Sequence, residues 1–332
     1  MSTVCHLDFE TFSECDLSEC GAYRYAEDPS TEILVACYAF DDEEVQTWRP
    51  ALDGPCPQRL VEHIRSGGIV AAHNYPFERV ISNSDAARKV GFPPLSIKQG
   101  RCTAVKAAEA GIPRSLSDAA KALGTVQKDE GGRIQMLQLS KPRKPTKADP
   151  SPRWTLENAA EKFEALWRYC ADDVRAEREI DRALPDIDAN EQRLWELDQV
   201  INDRGWAVDL EAVNNILFVV EQYKEQLAAE CEDLTRDWIT GEGLKPTQRE
   251  KIADWIRANG FPALADMQAE TVRQIVKRGD VPQIVKRLLI IYSTYNSKAT
   301  AKLPTMLRAV CADGRLHGMF QFYGAATGRW SS

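Results

Sequence analysis

The run Val4-Cys5-His6-Leu7-Asp8-Phe9-Glu10-Thr11, near the start of the chain, has the pattern of a buried β-strand. Successive side chains of a strand point to opposite faces, so Asp8 and Glu10 project from the same side. Two buried carboxylates repel each other, and a hard divalent cation that prefers oxygen ligands would offset the repulsion. The pattern Asp-x-Glu also suits an edge strand whose acidic side chains face water. The rest of the sequence must decide between these interpretations.

Composition limits the classes of protein that the chain can represent. It has 332 residues, 43% of them apolar, which predicts two or three domains with sizeable cores. No apolar run is long enough to cross a membrane, and residues 288–292, for example, are far too short. Nine cysteines without a Cys-x-x-Cys pair and only four histidines argue against a zinc finger or ribbon. We therefore expect reduced thiols and a cytoplasmic location.

Basic residues are concentrated in two segments of a chain whose formal net charge is −8. Residues 272–329 contain ten Lys or Arg and two acidic residues. This excess is typical of a surface that meets phosphates, but a solvated helix face would look the same. Residues 124–155 are rich in Gly, Pro and basic residues, which predicts a mobile loop. That loop either guides a nucleic-acid strand or is a solvated insertion.

Two further segments bring acidic residues towards the first strand. Residues 69–72 form an apolar run that leads into a helix with Pro76 in its first turn, so Glu78 lies near the end of a central strand. Residues 156–184 have strong helical periodicity. On that helix Tyr169 and Asp173 are four residues apart and share a face.

The remainder of the chain is predicted to be mostly helical. Asp209 is a suitable N-cap for a long helix whose apolar stripe extends to Trp238. Shorter helices are predicted near 248–258 and 269–277, and one long helix over 281–309. Residues 313–317 predict a turn into a strand, and residues 323–332 an exposed strand that could dock onto a partner.

Four carboxylates, those of Asp8, Glu10, Glu78 and Asp173, could form one site, with Tyr169 one turn before the last. Two divalent metals about 4 Å apart can activate a water and stabilise the attacking and leaving oxygens of a phosphodiester. A phenol beside such a water can orient it through a hydrogen bond.

The motifs Asp8-x-Glu10, Asn74-x-x-Phe77-Glu78 and Tyr169-x-x-x-Asp173 resemble the three motifs of the DEDDy group of 3′–5′ exonucleases. Separately, residues 313–317 and the ending Thr327-Gly328-Arg329-Trp330-Ser331-Ser332 resemble family A DNA polymerases. The second resemblance is to the segment between the thumb and the palm, and the helices before it resemble the thumb. Together the likeness covers essentially the whole chain, and the absence of a preceding 5′-nuclease domain favours a bacteriophage-like member.

The resemblance implies an α/β fold: an RNase H-like 3′–5′ exonuclease domain with a mixed sheet over residues 1–186. A mostly helical, thumb-like region with the start of the polymerase domain would follow over 187–332. It also implies two divalent metal ions, Mg²⁺ or Mn²⁺, held by the four carboxylates, with Tyr169 positioning the water. The residues expected to contact DNA are Thr11, Asn74 and Phe77 at the 3′-terminal nucleotide, and Lys298, Lys302 and Arg329 elsewhere. If phage-encoded, the protein would act in the cytoplasm of a bacterial host.

Two departures from the family pattern bear on activity. Glu78 stands where Asp is more usual, which puts the exonuclease rate in question. The palm aspartates and the fingers lysine lie beyond Ser332 in the family, so we expect no DNA polymerisation by this chain alone. Its partner would then be a polymerase half with palm and fingers, either as the rest of a longer protein or as a separate chain.

Two alternatives remain open at this point. One is a DNA-binding and assembly half of a split polymerase whose exonuclease is weak, and metal-dependent digestion of single-stranded DNA would separate the two. The other is a free-standing RNA-trimming nuclease of the same fold. Comparing DNA with RNA substrates would test it, because such a site can sense the 2′-hydroxyl.

Overall fold

The computed structural model describes residues 3–125, 130–147, 150–325 and 327–332. Within the predicted basic loop, residues 126–129 and 148–149 lie outside the described residues. The chain forms two compact units. The first comprises Met1–Val208 together with Arg308–Ser332, and the second is Asp209–Leu307. The functional boundary expected after residue 186 stays a prediction.

A five-stranded mixed sheet is the centre of the first unit, with strand order β3-β2-β1-β4-β5. β2 is antiparallel to both β1 and β3, whereas β4 runs parallel to β1 and β5 runs parallel to β4. A separate two-stranded ribbon pairs β6 with β7. The strands are β1 (Val4–Phe12), β2 (Glu32–Phe40), β3 (Gln46–Trp48), β4 (Ile69–Ala72), β5 (Gly100–Cys102), β6 (Trp206–Ala207) and β7 (Arg315–Leu316).

Helices cover both faces of the sheet, so the first unit has three layers. One core contains the β1 side chains Cys5, Leu7 and Phe9, and the opposite core packs β2 against the late helix α9. The helices are α1 (Leu17–Glu27), α2 (Pro50–Asp53), α3 (Gln58–Arg65), α4 (Tyr75–Ser82), α5 (Asp85–Lys89), α6 (Thr103–Glu109), α7 (Leu116–Leu123), α8 (Glu130–Leu139), α9 (Leu156–Ala183) and α10 (Ala189–Arg204).

The alternation predicted for the first strand is confirmed, and it determines which β1 side chains face α9. Because Cys5, Leu7 and Phe9 face the first core, His6, Asp8 and Glu10 face the other layer. The pairing of β1 with β2 is irregular between Glu10 and Thr11, where a bulge ends the strict alternation. α9 spans almost the predicted range and stops before Pro185, whose ring disfavours helix at the preceding residue.

Part of the predicted mobile loop is a helix. α8 covers Glu130–Leu139, and Leu139 is buried in the core beneath α9. The prediction was wrong there because glycine and basic residues dominate the composition, while a few apolar side chains supply the packing. The structure also pairs Cys15 with Cys20, whereas reduced thiols were expected. Those two cysteines flank the start of α1, which brings them together.

The second unit is helical, as predicted, with its own apolar core. Asp209 caps α11 by accepting a hydrogen bond from the Ala212 backbone at 2.9 Å. Trp238 lies past the end of α11 and is 99% exposed, so the predicted stripe was too long. The helices are α11 (Leu210–Leu234), α12 (Arg249–Ala258), α13 (Ala269–Lys277), α14 (Gln283–Tyr295) and α15 (Lys302–Ala309), the last of which crosses the boundary between the units.

The structure differs from two predictions about residues 281–332. The single helix expected over 281–309 is two helices, because its apolar periodicity stops after Tyr295 and Asn296 caps α14. The exposed strand expected over 323–332 is a turn-rich segment, apart from residue 326, which lies outside the described residues. One isolated bridge joins Gln321 to Ser331, and the Trp330 indole donates a hydrogen bond to Asp198 at 2.7 Å.

The turn into a strand predicted over 313–317 is confirmed. Gly314 has φ +77°, a backbone conformation that favours glycine, directly before β7. Across the described ranges, no helix combines the length and apolar character needed to cross a membrane.

Candidate metal centre

β1 and α9 bring three of the predicted carboxylates together. The Cys170 thiol of α9 donates to the backbone oxygen of Asp8 at 3.5 Å, which fixes the helix directly over the strand. Asp173 follows Cys170 by one turn and therefore faces the same strand. Carboxylate oxygens of Asp8, Glu10 and Asp173 all lie within 4.8 Å of one another. Three negative groups at this separation form a candidate centre for a cation that prefers oxygen ligands.

Glu78 is buried in the first turn of α4 and is only 3% exposed. Its Oε2 atom has no hydrogen-bond partner among the described residues. Burial raises the pKa of Glu78 well above its ordinary value of 4.5, and the negative charge of Asp8 raises this pKa further. A Mg²⁺ or Mn²⁺ ion would offset the repulsion between this buried carboxyl group and the acidic cluster, and would provide a partner for its unsatisfied oxygen. The cluster of Asp8, Glu10 and Asp173 is therefore compatible with a divalent metal ion, whereas Glu78 lies outside that cluster and stays a predicted ligand.

The raised pKa of Glu78 gives a stability prediction for the protein without divalent cation. Glu78 loses its proton near pH 4.5 when unfolded but only at higher pH when folded, so the unfolded state binds fewer protons. The free energy of unfolding therefore falls as pH rises above 4.5, until the folded group also ionises. We expect Glu78→Gln to gain stability relative to wild type by about 1 kcal/mol or more between pH 4 and 8 in chelator.

Thermal unfolding at several pH values measures this difference. The control is Glu161→Gln, the same substitution at an exposed position on α9. Adding Mn²⁺ should remove the advantage of Glu78→Gln, because the cation stabilises the carboxylate. A pH-independent offset for Glu78→Gln would show that this group is not held in its neutral form.

The other predicted residues of the exonuclease motifs surround α4 and the end of β1. Asn74 precedes α4 in a left-handed conformation, with φ +77°, and is exposed. The hydroxyl groups of Thr11 and Tyr25 lie 2.8 Å apart. The rings of Tyr25 and Phe77 follow, with 6.4 Å between their centroids. Thr11 and Phe77 are thus linked through Tyr25, a residue that is outside the predicted motifs.

Tyr169 is buried at 5% exposure under α8. A Cβ atom added to Gly132 of α8 would lie only 2.5 Å from Tyr169 Cδ2. Glycine at this position therefore permits α8 to approach the ring closely. The close approach gives part of the predicted loop a defined place beside Tyr169.

The predicted DNA contacts outside the exonuclease motifs are separate from this centre in the chain. Lys298 and Lys302 belong to the second unit and are exposed, Lys302 as the first residue of α15. Arg329 belongs to the first unit and is exposed in the turn-rich final segment, where its backbone oxygen accepts from Ala325 at 3.0 Å.

A buried pair that was not predicted from the sequence joins the same two elements. Nδ1 of His6 and Oε2 of Glu177 lie 2.7 Å apart, and both side chains are buried. Burial raises the pKa of Glu177, while the contact with His6 acts in the opposite direction. Sequence spacing could have predicted this pair. His6 precedes Asp8 by two residues on a strand, and Glu177 follows Asp173 by four on a helix, so each shares a face with a predicted ligand.

The fold resembles that of a DNA polymerase. A solved structure described as the POL domain of Pol1 from M. smegmatis in complex with DNA primer-template and dNTP matches the whole chain with a TM-score of 0.54. The match covers 51% of that protein's chain at 14% identity, so the likeness concerns the fold. No family model matches the chain.

A particular relative is found among characterised proteins. The DNA polymerase of Bacillus phage SP02 is 34% identical over 332 residues, which cover 98% of this chain. The chain spans about half the length of that polymerase, namely 49%. The chain is therefore a relative of a phage DNA polymerase, which confirms the resemblance to DNA polymerases, and it is consistent with a part of a family A polymerase. The exonuclease assignment stays a prediction.

Proposed function

We propose that the first unit is a metal-dependent 3′–5′ exonuclease that removes nucleotides from the 3′ end of DNA, as a proofreading part of a DNA polymerase. The observation that carries this proposal is the convergence of Asp8, Glu10 and Asp173 from β1 and α9, with oxygens within 4.8 Å. Partly buried carboxylates converge in this way at a cost in repulsion, which a cation offsets.

The sheet supports the RNase H-like assignment. Three antiparallel strands are followed by two that run parallel to β1, and the helix that carries Asp173 packs against β1 and β2. The paired carboxylates lie on the central strand, where ligands from two elements can converge. Similarity to a phage DNA polymerase supports DNA as the substrate.

The residues divide the chemistry between them. Asp8, Glu10, Glu78 and Asp173 would hold two Mg²⁺ or Mn²⁺ ions. When bound, such ions supply an activated water and stabilise the charge on the attacking and leaving oxygens. Tyr169, one turn before Asp173 and held under α8, orients the attacking water by hydrogen bonding.

Substrate binding is assigned to two sets of residues. Thr11, Asn74 and Phe77 seat the 3′-terminal nucleotide, Phe77 by offering an aromatic face to a base. Lys298 and Lys302 contact the phosphate backbone by charge, and Arg329 enters the minor groove near the primer end. A polymerase half with palm and fingers stays a predicted partner.

A digestion assay tests the proposal. The purified chain is mixed with 5′-labelled single-stranded DNA in Mg²⁺, in Mn²⁺ and in chelator. We expect a ladder that shortens from the 3′ end only with metal, and no ladder with Asp8→Ala, whose fold should persist because the change relieves repulsion. Normal digestion by Asp8→Ala would mean that the site assignment is wrong. A matching RNA strand tests the trimming nuclease, which would prefer RNA.

One observation favours the alternative of a DNA-binding half with a weak exonuclease. Burial raises the pKa of Glu78, which disfavours the ionised form that a metal ligand needs. DNA binding without digestion in either metal would support this second function. Slow digestion that becomes fast in Glu78→Asp would locate the weakness at this ligand.

The close approach of Gly132 to Tyr169 gives a further prediction. In Gly132→Val the new side chain must displace the phenol, at a cost of about 1–3 kcal/mol in stability. We expect the turnover rate to fall by about 100-fold, the lower end of what a group positioned at a reacting proton contributes. Tyr169→Phe should show the same loss of rate without the loss of stability. Gly279→Ala is the control, since its added methyl meets nothing within 4 Å.

A further inference from the structure

β1 and α9 carry matched rows of polar side chains. His6 and Asp8 are two residues apart on β1, which corresponds to about 6.6 Å along a strand. Asp173 and Glu177 are four residues apart on α9, about 6 Å along a helix. The two spacings are nearly equal. A contact between His6 and Glu177 therefore places Asp8 opposite Asp173, one spacing further along both elements. One carboxylate oxygen each of Asp8, Glu10 and Asp173 lies within 4.8 Å of the others, which agrees with this arrangement.

The contact between His6 and Glu177 is directional and buried. Nδ1 of His6 lies 2.7 Å from Oε2 of Glu177, and the two residues are 3% and 2% exposed. The second oxygen, Oε1 of Glu177, is buried and has no hydrogen-bond partner within the described ranges. The Glu177 carboxylate is thus held through Oε2, by a group on the same strand that supplies two of the proposed metal ligands.

Stability alone is a poor explanation for such a pair. Replacing a buried ion pair with well-packed apolar residues is often neutral or stabilising, because desolvation of the two groups is costly. A directional contact, in contrast, fixes register. A slip of β1 by one residue would turn His6, Asp8 and Glu10 to the opposite face. Rotation of α9 by one residue would likewise carry Asp173 away from the strand.

We propose that His6 and Glu177 are positioning residues, which hold β1 and α9 in the register that the metal centre needs. They do not coordinate the cation themselves. The inference rests on the proposed metal-dependent function of the same site. It predicts that the pair governs cation affinity more than it governs folding.

The next step along α9 offers a matched control. Asp181, four residues after Glu177, accepts from Lys106 Nζ at 2.7 Å and from Arg101 at 3.1 Å. This cluster is also buried and also ties α9 to the sheet layer, but it lies two turns from Asp173. Lys106→Met leaves Asp181 paired with Arg101. It should therefore lower stability without moving the metal ligands.

The experiment measures Mn²⁺ binding by calorimetry at fixed pH, together with thermal unfolding, for the full chain and its variants. We expect His6→Ala and Glu177→Ala to weaken Mn²⁺ affinity about 10- to 100-fold, the usual effect of removing a partner that orients metal ligands. His6→Gln, whose amide can still donate to Glu177, should recover most of the affinity. Lys106→Met should bind Mn²⁺ like wild type, within about twofold, since the hydrogen bonds of Lys106 go to Asp181 and Asp186 and not to β1.

The outcomes separate this inference from the proposed exonuclease. Unchanged Mn²⁺ affinity in folded His6→Ala or Glu177→Ala, with binding lost in Asp8→Ala, would overturn the positioning role and leave the exonuclease standing. An equal loss of Mn²⁺ affinity in Lys106→Met would also overturn the positioning role, because any weakening of the packing of α9 would then lower the affinity. If the wild type binds Mn²⁺ but never shortens DNA, the exonuclease fails while the positioning role is judged by the affinities alone. No Mn²⁺ binding by the wild type would overturn both.

Discussion

Replacing Asp173 with alanine is expected to reduce exonuclease turnover by about three orders of magnitude, whereas replacing its neighbour Asp172 is not. Asp173 is buried at 7% exposure and its carboxylate belongs to the cluster with Asp8 and Glu10. Loss of a metal ligand removes several kcal/mol of transition-state stabilisation, and each 1.36 kcal/mol is about tenfold in rate. The two aspartates are adjacent in sequence and chemically identical, so the comparison isolates position.

Asp172 provides a strict control. Its side chain is 38% exposed and pairs with Arg175 at 2.6 Å on the outer side of α9. Exposed ion pairs contribute about 0–1 kcal/mol, so Asp172→Ala should digest DNA at nearly the wild-type rate. Single-turnover kinetics on labelled single-stranded DNA measure both variants. A larger loss in Asp172→Ala than in Asp173→Ala would show that the wrong face of the helix has been assigned to the site.

The second large effect concerns stability and involves Trp195. This side chain is 1% exposed and packs in the core beside Tyr75, with 6.0 Å between the ring centroids. Trp195→Ala is expected to destabilise the first unit by about 3–5 kcal/mol, through lost transfer energy and the cavity left behind. That loss corresponds to a fall in melting temperature of roughly 10 °C for a domain of about 200 residues.

Trp238 is the matched control, since it is 99% exposed. Trp238→Ala should change the free energy of unfolding by less than about 0.5 kcal/mol. Differential scanning calorimetry resolves the transition of each unit. The comparison also bears on the boundary predicted after residue 186, because Trp195 lies beyond it and yet completes the core around β1. Similar melting temperatures for the two variants would mean that a domain ending at residue 186 needs nothing from α10.

Sequence periodicity predicted the elements that carry the site. β1 and α9 each bury a continuous apolar pattern, and a pattern of period 2 or 3.6 can be recognised without knowledge of its partner. The placement of Asp8 and Glu10 on one face follows from that period. Bringing Asp173 to the same place depended on the motif resemblance, because no local rule tells which helix packs over which strand.

What the sequence could not provide was pairing between distant residues. β5 has three residues, Gly100–Cys102, too few for a periodic signal, and exists because β4 supplies its hydrogen bonds. The pair of His6 with Glu177 and the approach of Gly132 to Tyr169 are likewise tertiary. The prediction of one helix over 281–309 was wrong for a local reason instead. A few polar residues after Tyr295 end the helix there.

The row of acidic residues on α9 has a consequence for the order of folding. Asp173, Glu177 and Asp181 follow one another at intervals of four, and like charges at that spacing weaken an isolated helix. Their partners, His6 on β1 and Lys106 on α6, come from much earlier in the chain. Even Cys170 and Asp8, which touch at the centre, are 162 residues apart in sequence. The C-terminal half of α9 therefore becomes stable only when it packs against β1 and α6. A chain emerging from the ribosome cannot bind a cation at this site before α9 has been synthesised.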